Sequence, residues 1–64
     1  MVGKNRVWEL RMSKGWSTRY LAKLSGLSRS SITRIENESI SPTFDTMIKI
    51  SKAFNMNIWD VFYY

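Results

Sequence analysis

Apolar residues recur along this chain at helical spacing, and the breaks in the recurrence are filled by residues that end or start helices. Val7, Leu10 and Lys14 lie on one side of a period of about 3.6 residues that begins near Gly3. It stops at Gly15, which can take the left-handed conformation that closes a helix. Three start signals of one form follow, each an apolar residue, a capping side chain, and a second apolar residue five positions after the first. They read Trp16-Ser17 with Leu21, Leu27-Ser28 with Ile32, and Met56-Asn57 with Val61. In each, the Ser or Asn can accept a hydrogen bond from a first-turn amide while the apolar pair closes over it as a hydrophobic staple. Thr43 after Pro42 is a fourth start, with Asp45 in the first turn where the helix dipole favours an anion. The helix behind it is expected to turn Phe44, Met47, Ile48, Ile50 and Phe54 inward and to end at Asn55.

The pattern predicts helices at about 3–14, 18–25, 29–38, 44–54 and 58–62, with no strand required. Short connections predict a single compact all-α domain over 1–64, a five-helix bundle without linker, internal repeat or low-complexity segment. Only Ser39-Ile40-Ser41-Pro42 reads as irregular.

Composition narrows the chemistry. With 64 residues there is room for one core, and with no cysteine its stability must come from packing rather than disulfides. The absence of histidine removes the commonest general base and the usual zinc ligand. Glu9, Glu36 and Glu38 form no paired acid and base, and no phosphate-cradling glycine loop exists, so neither an enzyme nor a cofactor or metal is expected. No stretch approaches the roughly 20 apolar residues of a membrane span, and Met1 to Arg6 run into a charged helix rather than a secretory segment, so the expected location is the cytoplasm.

The net charge of +5 points to a polyanionic partner. Its distribution is lopsided: residues 1–34 carry eight basic side chains against Glu9 alone, whereas 35–64 carry Lys49 and Lys52 against four acids.

Ser25-Gly26-Leu27-Ser28 joins the second and third helices with a glycine where one must stop and a serine where the next begins, which is the build of a helix-turn-helix. Together with Gly15-Trp16-Ser17, Leu21-Ala22, Arg29, Ile32, Arg34-Ile35-Glu36-Asn37 and Pro42-Thr43-Phe44, this stretch resembles the Cro and phage-repressor type of helix-turn-helix domain, the Xre family. The resemblance covers about residues 5–62. It implies a lambda-repressor-like five-helix fold, double-stranded DNA as partner, and a second motif helix that enters the major groove. It also implies an ion pair between Arg11 and Glu36. Three positions depart from the family's habit: Thr18 where glutamine is usual, Ser25 where an apolar residue is common, and Glu38 where glycine often follows Glu-Asn.

On a wheel of about 100° per residue with Arg29 at zero, Ile32 and Ile35 fall at about 300° and 240°, which sets the buried side. Ser30, Thr33, Arg34 and Asn37 fall at about 100°, 40°, 140° and 80°, facing away from it. Arg29, at the first turn, can swing its long side chain into a groove. Arg, Ser and Thr suit base edges, so Arg29, Ser30, Thr33 and Arg34 are the expected base readers. Phosphate contacts are expected from Ser17, Thr18, Arg19, Asn37, Ser41 and Thr43, where hydroxyls and helix N-terminal amides meet.

Trp59, Phe62, Tyr63 and Tyr64 crowd a short last helix, and such a patch suits an interface, so a homodimer on a two-fold operator is expected. No sensor segment follows within the 64 residues, so no small-molecule ligand is expected. The expected role is a transcriptional regulator, in first place a repressor. The alternative is a protein-interaction module such as the antitoxin of a toxin pair, with or without DNA binding.

Overall fold

The structure, a computed structural model, describes residues 4–63, and over these the chain forms five helices and one short β-ribbon. The helices are α1 (Val7–Ser13), α2 (Thr18–Ser25), α3 (Arg29–Glu36), α4 (Phe44–Ala53) and α5 (Ile58–Val61). The ribbon pairs β1 (Lys4–Asn5) antiparallel with β2 (Phe62–Tyr63), Lys4 opposite Tyr63 and Asn5 opposite Phe62.

Each start from α2 onward is capped as its local sequence dictates. Ser17 accepts from the Tyr20 amide, Ser28 from Ser31, Thr43 from Thr46 and Asn57 from Trp59. Such a cap is worth about 1 kcal/mol against alanine. The Trp16 staple grows into a small aromatic stack: its ring lies 5.4 Å from Phe54 at an interplanar angle of 5° and meets Tyr20 edge-on at 5.2 Å. Lys14 sets its ammonium 5.4 Å from the centroid of the Trp16 ring, so it belongs to this corner and not to the apolar side of α1.

One core draws on every helix and the ribbon: Val7 and Leu10, Leu21 and Ala22, Ile32 and Ile35, Met47, Ile50 and Phe54, then Val61 and Phe62. The whole domain measures 27 × 22 × 19 Å.

Four expectations are corrected. The first helix starts at Val7, not near Gly3, because Arg6 takes a non-helical φ of −108° and ψ of 20° and donates its backbone N–H to the Val61 carbonyl at 2.8 Å. Strands are therefore needed after all, and the last helix gives way to extended backbone at Phe62, with φ −117° and ψ 139°. Alternation across the ribbon turns Phe62 into the core at 1% exposure, which withdraws it from the interface expected of it, and leaves Tyr63 outside at 44%. Finally, Phe44 is 60% exposed and Ile48 half-buried. They lie about 85° and 125° around the wheel from the direction shared by Met47, Ile50 and Phe54.

The C-terminus of α3 explains one departure noted in the sequence. Glu38 donates its N–H to the Ile35 carbonyl and Ser39 donates to Arg34, each at 3.0 Å, the reciprocal pair that closes a helix through a left-handed residue. That residue is Glu38, at φ 59°. Holding an L residue there costs about 1–2 kcal/mol, part of which glycine would lose again through its freer unfolded chain. Glu38→Gly is therefore expected to raise the unfolding free energy by about 0.5–1 kcal/mol in a urea titration. An unchanged or lowered midpoint contradicts this account of the turn.

Candidate nucleic-acid interface

The candidate surface is built on α2, its turn and α3. Gly26, at φ 75°, ends α2, its N–H and that of Leu27 both donating to the Ala22 carbonyl. Ser25 is buried without penalty because its hydroxyl donates back to the Leu21 carbonyl at 2.8 Å. α2 packs on both α3 and α4. In α3, Ile32 and Ile35 are 0% and 1% exposed, while Arg29, Ser30, Thr33 and Arg34 are all exposed, as is Asn37 at its C-cap.

The outward groups are chemically ready. Among the described residues, neither Arg29 nor Arg34 forms an ion pair, so both guanidinium forks are free to donate. Thr33 donates its hydroxyl to the Arg29 carbonyl at 3.1 Å. That bond uses its proton and leaves lone pairs and a methyl facing out, a set that matches the amino group of adenine or cytosine or the methyl of thymine. Ser30 lies 3.2 Å from the Ser28 hydroxyl.

The expected phosphate-contacting residues are dispersed. Ser17, Thr18 and Arg19 sit at the start of α2, Thr18 half-buried and the other two exposed. Ser41 and Thr43 precede α4 and are exposed. The oxygens of Ser17 and Thr43 already serve as caps, and Thr43 also donates to the Thr46 hydroxyl at 3.0 Å. What these ends offer an anion is chiefly their free first-turn amides. In the aromatic set, Trp59 is 57% exposed, and Tyr64 lies outside the described residues.

Beneath α3, Arg11 and Glu36 form a two-pronged ion pair, Nε to Oε2 at 2.7 Å and Nη2 to Oε1 at 3.1 Å. Their side chains keep 11% and 7% of their exposure. The third arm of the guanidinium, Nη1, donates to the Trp16 carbonyl at 2.8 Å, in the turn before α2. The hydrogen bond that Arg11 donates to Glu36, and the charge of Glu36, hold the Arg11 pKa above the ordinary arginine value, against the desolvation that lowers it. The sign is that of a raised base: the stabilisation is complete below the ordinary arginine value and is lost only as pH climbs through the raised one.

Sequence reasoning missed Asn5. Its Oδ1 accepts from the Val7 amide at 3.0 Å and its Nδ2 donates to the Ile35 carbonyl at 2.9 Å. An Asn two residues before the first buried apolar residue was a readable turn signal, since its side chain accepts from the amide two positions on.

The chain matches the family described as Helix-turn-helix over residues 9–58. It is 38% identical over 60 residues to YgzD of Bacillus subtilis, described as an uncharacterized HTH-type transcriptional regulator, covering 94% of this chain and 91% of that protein. It is 37% identical over 57 residues to the HTH-type transcriptional regulator PuuR of Escherichia coli, covering 89% of this chain. The match spans only 31% of PuuR's length. Among solved structures it resembles the restriction-modification controller protein C.AhdI of Aeromonas hydrophila, with a TM-score of 0.82 at 33% identity, covering 86% of this chain and 83% of that one.

Cutting one partner from a buried pair strands the other charge, at about 3–5 kcal/mol for full burial. Because both side chains here retain some exposure, Glu36→Ala is expected to cost about 2–3 kcal/mol by urea unfolding followed through tryptophan fluorescence. A loss below about 1 kcal/mol would class the pair with exposed ones.

Proposed function

The chain belongs to the Xre/Cro-type helix-turn-helix family, and from that premise we propose that it is a transcriptional regulator that binds double-stranded DNA in a sequence-specific manner. α3 lies in the major groove, with Arg29, Ser30, Thr33 and Arg34 on base edges. Ser17, Thr18, Arg19, Asn37, Ser41 and Thr43 sit against phosphates and fix the register. The single observation that carries this reading is the exposed polar face of α3, with two arginines that form no ion pair among the described residues opposite two buried isoleucines. The excess of basic residues in the first 34 positions supports it, since phosphate neutralisation supplies the sequence-independent part of DNA affinity.

The protein acts by occupancy rather than catalysis, in the cytoplasm, and among the described residues no helix is long and apolar enough to cross a membrane. A repressor needs only to exclude other proteins from its operator. We further propose a homodimer joined through Trp59, Tyr63 and Tyr64, reading half-sites about one helical turn apart. A second reading, an interaction module such as an antitoxin, draws on the exposure of the same Trp59 and Tyr63.

Selection of bound sequences from a random duplex pool tests the first reading, and failure to enrich any sequence would leave only the second. With an enriched duplex in hand, Arg34→Ala is expected to cost about 1–3 kcal/mol and to relax one base preference. Equal losses on enriched and scrambled duplexes contradict a base-reading role. Sedimentation at micromolar concentration is expected to show a dimer on DNA, and a species that stays at 7.6 kDa per site contradicts it.

A further inference from the structure

Asn5 touches three parts of the molecule at once. Its backbone pairs with Phe62 in the ribbon, its Oδ1 accepts from the Val7 amide at the start of α1 at 3.0 Å in a side-chain turn, and its Nδ2 donates to the Ile35 carbonyl at 2.9 Å. That carbonyl lies in the last turn of α3, where intrahelical partners run out. It also accepts from Glu38 at 3.0 Å, so both its lone pairs are in use. The next residue, Glu36, is the one gripped by Arg11. The end of α3 is thus held at two consecutive residues by two side chains six positions apart, one ahead of α1 and one within it.

A helix tied at one point can swing about it, whereas two ties set its direction. A tilt of about 6° about Ile35 moves the Cα of Arg29 by about 1 Å, because six residues of helix span roughly 9 Å. Base-edge hydrogen bonds do not survive such a shift, since they weaken steeply with distance and angle. Contacts between long basic side chains and phosphates follow it easily.

Building on the DNA-binding reading above, we infer that Asn5 is a positioning residue for sequence discrimination: through the Ile35 carbonyl it sets the angle at which α3 presents its base readers. Its backbone pairing with Phe62 also makes the C-terminal ribbon part of that support.

Two variants separate the donor from the acceptor. Asn5→Ser keeps a hydroxyl able to accept from the Val7 amide but is too short to reach Ile35. Asn5→Asp keeps shape and acceptor while removing the donor. Affinities are measured for the duplex enriched by the wild type and for a scrambled duplex, across a range of salt, with a thermal melt of each variant. The expected result for both is an enriched-to-scrambled ratio lowered about 3–10-fold, the range of one net hydrogen bond. The Asn5→Ser salt slope and scrambled-duplex affinity stay at wild-type values. The added charge of Asn5→Asp weakens both duplexes alike and leaves the ratio readable. A folded Asn5→Ser protein with an unchanged ratio overturns the inference and spares the DNA-binding reading. Loss of the cooperative melt in both variants reduces Asn5 to a stability residue and overturns it too. A wild type that prefers no duplex overturns that reading and the inference together.

Discussion

The orientation of α3 depends on the fork between Arg11 and Glu36. α3 has eight residues and buries only Ile32 and Ile35. Hydrophobic burial is non-directional, so two adjacent apolar anchors keep such a helix on the domain without fixing its angle. The planar guanidinium supplies that direction through its two bonds to Glu36, and its third arm fixes the turn ahead of α2 to the same point. Desolvating two charges costs several kcal/mol, so the pair adds little net stability over an apolar replacement. What it adds is geometry, and on the proposed function a helix that reads a groove needs geometry more than stability.

The parts legible in the sequence were those whose causes lie within a few residues. Ser17, Ser28, Thr43 and Asn57 each cap an amide two or three positions away, and the starts of α2, α3, α4 and α5 fell where those side chains placed them. The outward face of α3 followed from Ile32 and Ile35 alone. The ribbon was not legible: two-residue strands show no alternation, and the pairing of Lys4 and Asn5 with Tyr63 and Phe62 spans nearly the whole chain. That one long-range pairing accounts for the late start of α1, the early end of α5 and the burial of Phe62. The ion pair of Arg11 and Glu36, 25 positions apart, was reached only through resemblance to a family.

On the proposed function, the surface so arranged divides its labour. The ends of α2 and α4 offer amides and hydroxyls that suit phosphate whatever the sequence, while α3 offers forks, lone pairs and a methyl that differ in what they accept from each base. Behind the face stand partly buried side chains, Arg11 and Asn5 foremost, and on the proposed reading their work is to make one angle of presentation much more populated than its neighbours. Trp59 on the last helix and Tyr63 in the ribbon stand exposed, and the proposed joining of copies rests on them.

The most direct test is an NMR titration of the 15N-labelled chain with the duplex it selects. The account predicts that amide and side-chain shifts concentrate over 17–19, 28–37 and 41–43, with intermolecular contacts from Arg29, Thr33 and Arg34 to base protons. Shifts gathered instead around Trp59 and Tyr63, with α3 unmoved, would contradict it.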